Sequence, residues 1–495
     1  MGLLESSNSI LQSKALLCCA LLMCVHHPLL HFMCEHKLCL VVDKVSTVNN
    51  ADVTSCVEVL GQCIKFVVPE ILDETRQFLG DMVSGGKGSA MKANHEGFSV
   101  LLHLITCSSL RNEVVTERVI EIVSSCLSFV DHVRFSGFSE FKSTLLFVVE
   151  AISQQHVLLS RENRAILTHL LPSLTHLLET DNGDMRFYCL KIFTDVLIYF
   201  LRTPEHYDPT DPSHESSQEI NELIVSFLLP RYRKILLDED PIPLYGLKLL
   251  SHIVECNPAF VPTVHGLGLV PLFFEFFELD HRNNNIHNVR LIRMLVESPD
   301  IDFREVYQLG LVKKMNTVLD YAVENGVESF FEPCLDIAST ALYKASELVA
   351  QASPSERQEL LSLNRGFSES VAIFVNLLEH HDPSVSEKSA SSLQLCAQLF
   401  DEVCSELAQL PSGDSATESA LDVFAGVLGQ REELTSETTK RRVLKVIWKL
   451  LTSDPTRGRS VRSYSPLWEQ VKTLASSSSS SCPQLGQLAS ALLSS

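Results

Sequence analysis

The chain has 495 residues, with 40 Lys and Arg against 61 Asp and Glu, a net charge of −21 and a pI near 5.3. Nucleic-acid binding needs clustered cations to replace phosphate counterions, so the balance excludes that class for the chain as a whole. Hydrophobic residues make up 45% and mean hydropathy is +0.13, enough for a packed core and too much for global disorder.

Residues 15–25, ALLCCALLMCV, have the length of a signal-peptide core. They are stopped by His26-His27-Pro28 and preceded by only Lys14 against Glu5, so they read as a buried helix. The run is also too short to span a bilayer, and no membrane partner is expected. Cys24, His26, His27, His31, Cys34, His36 and Cys39 follow, among Leu, Phe and Met. Zinc sites favour close ligand pairs on turns, and these residues fall in helical runs, so core packing is expected and no metal. The 15 Cys are an odd number without regular spacing, which suits a reducing compartment and a cytoplasmic protein.

Residues 1–84 read as the first helices of the chain and 85–95 as a flexible loop. Gly85-Gly86-Lys87-Gly88-Ser89 there lacks the upstream Gly and following Ser or Thr of a phosphate loop. Residues 96–202 read as helical repeats, and 203–219 as an acidic, Pro- and Ser-rich insertion. Deleting 207–217 is expected to be nearly neutral, because loop length changes closure entropy slowly. Residues 220–350 give the best-defined repeats, with Asp238-Glu239-Asp240-Pro241 as a helix-breaking turn and an acidic start for the next helix.

The 266–296 stretch sets the pattern. Phe273, Phe274, Phe276 and Phe277 occupy more than one helix face, so that helix must be covered on several sides. After a polar break, Ile286, Val289, Ile292 and Leu295 line one face. Leu267-Gly268-Leu269-Val270 returns as Leu309-Gly310-Leu311-Val312, 42 residues on, inside the armadillo and HEAT repeat window. Residues 374–395 repeat the plan with an Asp-Pro turn. Helical hairpins that cannot bury their own apolar faces must stack, which predicts an all-α, right-handed α-solenoid of armadillo/HEAT-like repeats. Residues 356–475 continue the repeats, with a break at Pro411-Ser412-Gly413 and Ser355 as a helix cap. Residues 476–495 form a Ser-rich tail.

No catalytic constellation is found. His281-Arg282-Asn283 and Asp302-Phe303-Arg304 imitate a kinase catalytic loop and magnesium triplet. Asn283 stands where the base belongs, and Arg304 where glycine does. His95-Glu96 lacks the second His of a zinc protease, and Ser, His and Asp meet in no recognisable arrangement. No enzyme, cofactor or metal is therefore expected. The candidate site is basic: Lys440, Arg441, Arg442, Lys445, Lys449, Arg457, Arg459 and Arg462 stand against Asp454 alone. Arg441, Lys445 and Lys449 are four apart and form one helix stripe, with Leu444, Ile447, Trp448 and Leu451 expected toward the core. This stripe suits an acidic protein partner such as a tubulin tail or an acidic peptide.

Residues 228–261, LLPRYRKILLDEDPIPLYGLKLLSHIVECNPAFV, and the 266–296 unit carry a resemblance that extends over residues 160–350. The run Pro243-Leu244-Tyr245-Gly246-Leu247-Lys248-Leu249-Leu250 with Asn257-Pro258 is its most specific part. The region resembles the C-terminal armadillo/HEAT repeats of the Unc-51-like kinase four and plant Runkel group, relatives of the Fused serine/threonine kinases. In that group a kinase or pseudokinase domain precedes the repeats, and its nucleotide-binding residues have no counterpart in this sequence. The resemblance implies a non-catalytic scaffold in microtubule organisation, cilia and cell division. It also implies microtubule-associated proteins or Fused-type kinases as partners and a cytoskeletal or ciliary location. A general adaptor that binds a linear peptide is the alternative, disfavoured because such grooves use repeated tryptophans and this chain has Trp448 and Trp468 alone.

Overall fold

The computed structural model describes residues 2–84, 96–130, 132, 138–409, 419–430, 435–476 and 483–494. The 85–95 loop with its Gly-Lys motif, the Pro411 break and most of the Ser-rich run lie outside these residues. Among the described residues there is no strand, and two compact helical units divide the chain at Asn257 and Pro258. That boundary cuts the stretch that the sequence read as one block of repeats, 220–350.

Each unit is a stack of helices in rows. In unit 1 one row comprises α1 (Pro28–Glu35), α2 (Glu96–Thr106), α3 (Phe138–Ser153), α4 (Gly183–Arg202) and α5 (Ile242–Cys256), each packed on the next. In unit 2 the corresponding row comprises α6 (Ile286–Glu297), α7 (Phe331–Gln351), α8 (Pro383–Leu399), α9 (Glu437–Ser453) and α10 (Pro483–Ser494). A further row covers the apolar side of each, as Leu311–Asn325 does for α7. This is the α-solenoid expected of stacked hairpins.

Local chemistry sets the helix starts. Asn182 caps α4 by accepting from Met185 N at 3.0 Å, and Asn285 caps α6 from His287 N and Asn288 N at 3.0 and 3.2 Å. Side-chain oxygens satisfy N–H groups that have no partner within the helix. The Leu-Gly-Leu-Val echo has a backbone cause: Gly268 and Gly310 both take positive φ, +67° and +85°, where glycine is favoured. Each glycine sits between a short helix and the next, and at Gly268 the two helices bend by 94°. No single described helix is long and apolar enough to cross a membrane. Phe273, Phe274, Phe276 and Phe277 are all buried, as a helix end enclosed by neighbours requires.

Four local expectations need correction. The helix Pro354–Asn364 is capped by Ser353, not Ser355: Glu356 Oε2 accepts from Ser353 N at 3.0 Å and Ser353 Oγ at 2.7 Å. The acidic turn before α5 does not serve that helix's dipole, because Asp238 instead holds Arg186 at 2.7 and 2.8 Å. The helix Ser9–Val25 is covered on one face by Leu16, Ala20 and Met23, while Ile10, Leu21, Leu22 and Val25 stay exposed. The 203–219 insertion is not a free loop. A helix begins at Glu215, and Tyr207 is buried with Oη donating to Asn221 Oδ1 and accepting from Asn257 Nδ2, both at 2.9 Å.

Charges bind the unit 2 row across its helices. Arg293 of α6 pairs with Asp336 of α7 at 3.3 Å. Lys388 of α8 reaches Asp336 at 2.8 Å and Glu332 at 2.7 Å. Glu387 of α8 meets Arg442 of α9 at 3.6 Å. The Lys388 hydrogen bond, aided by Ser384, holds the Glu332 carboxyl below its ordinary pKa.

Candidate protein-interaction surface

The eight predicted cations separate into three environments. Lys440 is buried, and its Nζ donates to the Gln430 carbonyl. Arg442 donates to the Glu387 carbonyl at 2.7 Å, and burial lowers its pKa. These two tie α9 to neighbouring segments, Lys440 to the end of the helix Ala420–Gly429 and Arg442 to α8. Arg457, Arg459 and Arg462 lie on the following helix, Pro455–Ser463, where Arg457 turns back to Asp401 O at 3.4 Å and Asp454 at 3.9 Å. Arg441, Lys445 and Lys449 share the outward face of α9, with Arg441 reaching Gln484 of α10 at 3.4 Å.

Trp448 belongs to that outward face. Leu444, Ile447 and Leu451 are buried as expected, but so are Val443, Val446 and Leu450. The core stripe is therefore centred nearer Val443 and Ile447. At about 100° per residue, Trp448 falls roughly 120° from that centre, beside Lys445. It is 37% exposed. With Lys445, Lys449, Gln394 and Gln398 of α8, and Leu488 and Ala491 of α10, it lines a hollow of about 390 Å³. Trp468, by contrast, is tied down by donating Nε1 to Val461 O at 2.9 Å.

The hollow joins three chemistries. An indole face offers apolar area, two ammonium groups attract carboxylates, and two glutamine amides one turn apart can pair with a peptide backbone. Sequence reasoning found the cations but missed Gln394 and Gln398. Their signal was the i, i+4 spacing of two uncharged amides on one helix.

Other candidate chemistry resolves into structure. His281 stacks on Phe276 at 4.7 Å and accepts from Asn283 N at 3.1 Å, while Asp302 caps a helix through Arg304 N at 2.9 Å. One Ser, His and Asn set does meet, which the sequence did not reveal: Ser160 Oγ and Asn163 Nδ2 each lie 3.2 Å from opposite nitrogens of the buried His206. Asn163 Oδ1 is occupied by Arg164 N at 2.6 Å, so its amide nitrogen faces His206 Nδ1. That leaves the proton on Nε2, donated to Ser160, the wrong tautomer for a general base.

Glu328, His380 and His381 bring ligand atoms within 4.8 Å of one another. His380 Nδ1 already accepts from Asp382 N at 3.1 Å, which puts the neutral ring's proton on Nε2 and removes its donor pair. The Cys and His residues of the 24–39 segment form no such group among the described residues. Cys34 and Cys39 are buried, and Cys24 is exposed.

Stacked helical hairpins with an outward hollow define a protein-interaction repeat region of the armadillo/HEAT class. Two family models then specify it. "Serine/threonine-protein kinase ULK4-like, HEAT repeats" matches residues 65–262, and "RUNKEL ARM-repeat domain" matches residues 268–406.

Over the repeat region the chain is homologous to two kinases. It is 28% identical to serine/threonine-protein kinase RUNKEL of Arabidopsis thaliana, over 70% of this chain and 26% of that one. It is 25% identical to serine/threonine-protein kinase ULK4 of Mus musculus, over 96% and 39%. The chain thus spans well under half the length of either relative, and both matched models are repeat domains. Among solved structures, UNC-45 from Drosophila melanogaster aligns with TM-score 0.52 at 10% identity, over all of this chain and 61% of that one. A chain from the structure on a phosphorylation switch in the interaction between cadherin and beta-catenin aligns with TM-score 0.51 at 13% identity, over 100% and 99%. These two likenesses concern the fold.

Proposed function

We propose that this chain is a non-catalytic, cytoplasmic scaffold region of the ULK4/RUNKEL type, which holds protein partners in microtubule and ciliary assembly. The observation that carries the binding role is Trp448, exposed in one hollow with Lys445 and Lys449. A large aromatic ring left beside two cations in a hollow is an anchor for a partner segment, not core. The kinship with RUNKEL and ULK4 supports the cytoskeletal setting. Acidic tubulin tails have the complementary charge.

The test is co-sedimentation with microtubules whose acidic tails are intact or removed by protease. Tail removal and Lys445→Glu with Lys449→Glu should each reduce the bound fraction, and added salt should do the same. Equal pelleting of parent and variant on both kinds of microtubule would refute the reading. The exposed Trp448 also favours a second reading, in which a linear peptide from a non-cytoskeletal protein occupies the hollow. That reading predicts sensitivity to Trp448→Ala without dependence on tubulin tails.

A further inference from the structure

The helix Ser9–Val25 leaves an apolar face to solvent. Gln12, Leu16, Ala20 and Met23 form its buried stripe, and the helix Ala51–Val83 packs against it. Ile10, Leu11, Leu17, Leu21, Leu22 and Val25 are all exposed, Leu21 to 68% and Val25 to 86%. At about 100° per residue these six share one arc of roughly 140° opposite the buried stripe, with Lys14 as its single charge. Two exposed thiols belong to the same face: Cys18 and Cys24 stand on either side of the row Leu17, Leu21 and Val25. Cys19 turns toward the covered side, where burial raises its pKa and makes it a poorer nucleophile.

This face suits a lipid surface better than a protein. A protein interface carries about ten hydrogen bonds and favours aromatic, Met and Arg side chains at its core. The arc holds none of those residue types, and Lys14 is its only hydrogen-bonding side chain apart from the thiols. At about 25 Å the helix is too short to cross a bilayer, but lying in the headgroup plane requires no such length. One cation in a chain of net charge −21 gives little attraction to anionic lipid, so the second anchoring signal has to be covalent.

We propose that Cys18 and Cys24 are S-acylated by long-chain fatty acyl groups, and that the acylated helix lies in a bilayer surface and anchors unit 1 there. The step is thioester exchange with a fatty acyl-coenzyme A. The acyl carbonyl carbon bonds to the cysteine Sγ, its bond to the coenzyme A sulfur breaks, and the thiol proton leaves with coenzyme A. Two chains beside one apolar face hold stably where a single chain binds only marginally. The Cys24 thiol also touches that of Cys63, a partly buried residue of the helix Ala51–Val83, which supplies a control.

The test feeds an alkynyl palmitate to cells expressing the full chain and reads the label on the captured protein before and after neutral hydroxylamine, which cleaves thioesters. Cys18→Ser and Cys24→Ser should each lower the label about twofold and the double change about tenfold, with unchanged thermal melts, while Cys63→Ser keeps it. The double variant should also move from the membrane pellet to the soluble fraction. Purified chain acylated with palmitoyl-coenzyme A should float with phosphatidylcholine vesicles, and Leu17→Gln with Leu21→Gln should reduce flotation at equal acylation. A double variant labelled within about twofold of the parent, or label that survives hydroxylamine, overturns the proposal. So does light scattering that shows a lipid-free dimer dissolved by the Leu17 and Leu21 changes, which would give the face to a second copy of the chain.

Discussion

Deleting 207–217 separates two physical views of the acidic insertion. If the segment were a tether, shortening it would change stability by a fraction of a kcal/mol, on the order of 0.5, through closure entropy alone. The structure instead packs Tyr207 to 4% exposure and gives its hydroxyl two partners, Asn221 on the helix Glu215–Glu222 and Asn257 at the end of α5. Tyr207→Phe keeps the ring and removes both bonds, at roughly 1 kcal/mol each. Both asparagines are half-buried, and water can repair part of the loss, so about 1 to 2 kcal/mol is expected. Tyr207→Ala adds the cavity left by a buried ring, for about 3 to 5 kcal/mol, and the deletion should match or exceed that. Urea unfolding followed by far-ultraviolet circular dichroism measures all three. A cycle with Asn257→Ala should show a coupling near 1 kcal/mol for the Tyr207 hydroxyl. A deletion that unfolds within about 0.5 kcal/mol of the parent would show that Tyr207 anchors nothing.

Two further changes probe the fold. Phe276→Asp places a carboxylate where 2% of the residue is exposed, and should destabilise unit 2 by about 3 to 5 kcal/mol; a parent-like urea midpoint would contradict the burial. Asp43 accepts from Ser108 N and Oγ at 3.1 and 2.8 Å and from Ser109 N and Oγ at 2.9 and 2.8 Å. Burial pushes its pKa up, but these bonds outweigh it and hold the carboxyl below its ordinary value. The stabilisation is thus present above the unfolded pKa, near 4, and disappears as pH falls through the lower folded value. Asp43→Asn should melt below the parent at pH 7, with the gap closing on acidification; a gap that stays constant would rule out the carboxylate as its source.

The fold was legible because its signals are local. Four phenylalanines in five positions cannot share one helix face, and a Gly recurring 42 residues on marks a left-handed hinge that other side chains resist. The site was legible only in part. Charge counts put Lys445 and Lys449 on one helix stripe, and that stripe faces outward, but they could not separate the two from Lys440 and Arg442, whose fates depend on the Gln430 and Glu387 carbonyls brought near by folding. Trp448 went to the wrong face because the core stripe was read from three leucine and isoleucine positions while the valines beside them shift its centre. Tyr207 was hidden for a different reason. Its partners lie 14 and 50 residues away, and a composition rich in Asp, Pro and Ser resembles a free loop until those partners are in place.

The interhelical charges of unit 2 act as a key that fixes the sequence order of its modules. Arg293 and Lys388 both pair with Asp336 of α7, and Lys388 pairs with Glu332 as well. Excising that module, or transplanting α8 directly behind α6, would abut two cations in a partly desolvated seam. Lineages that lengthen or trim such arrays would therefore have to recode the flanking helices along with the cut.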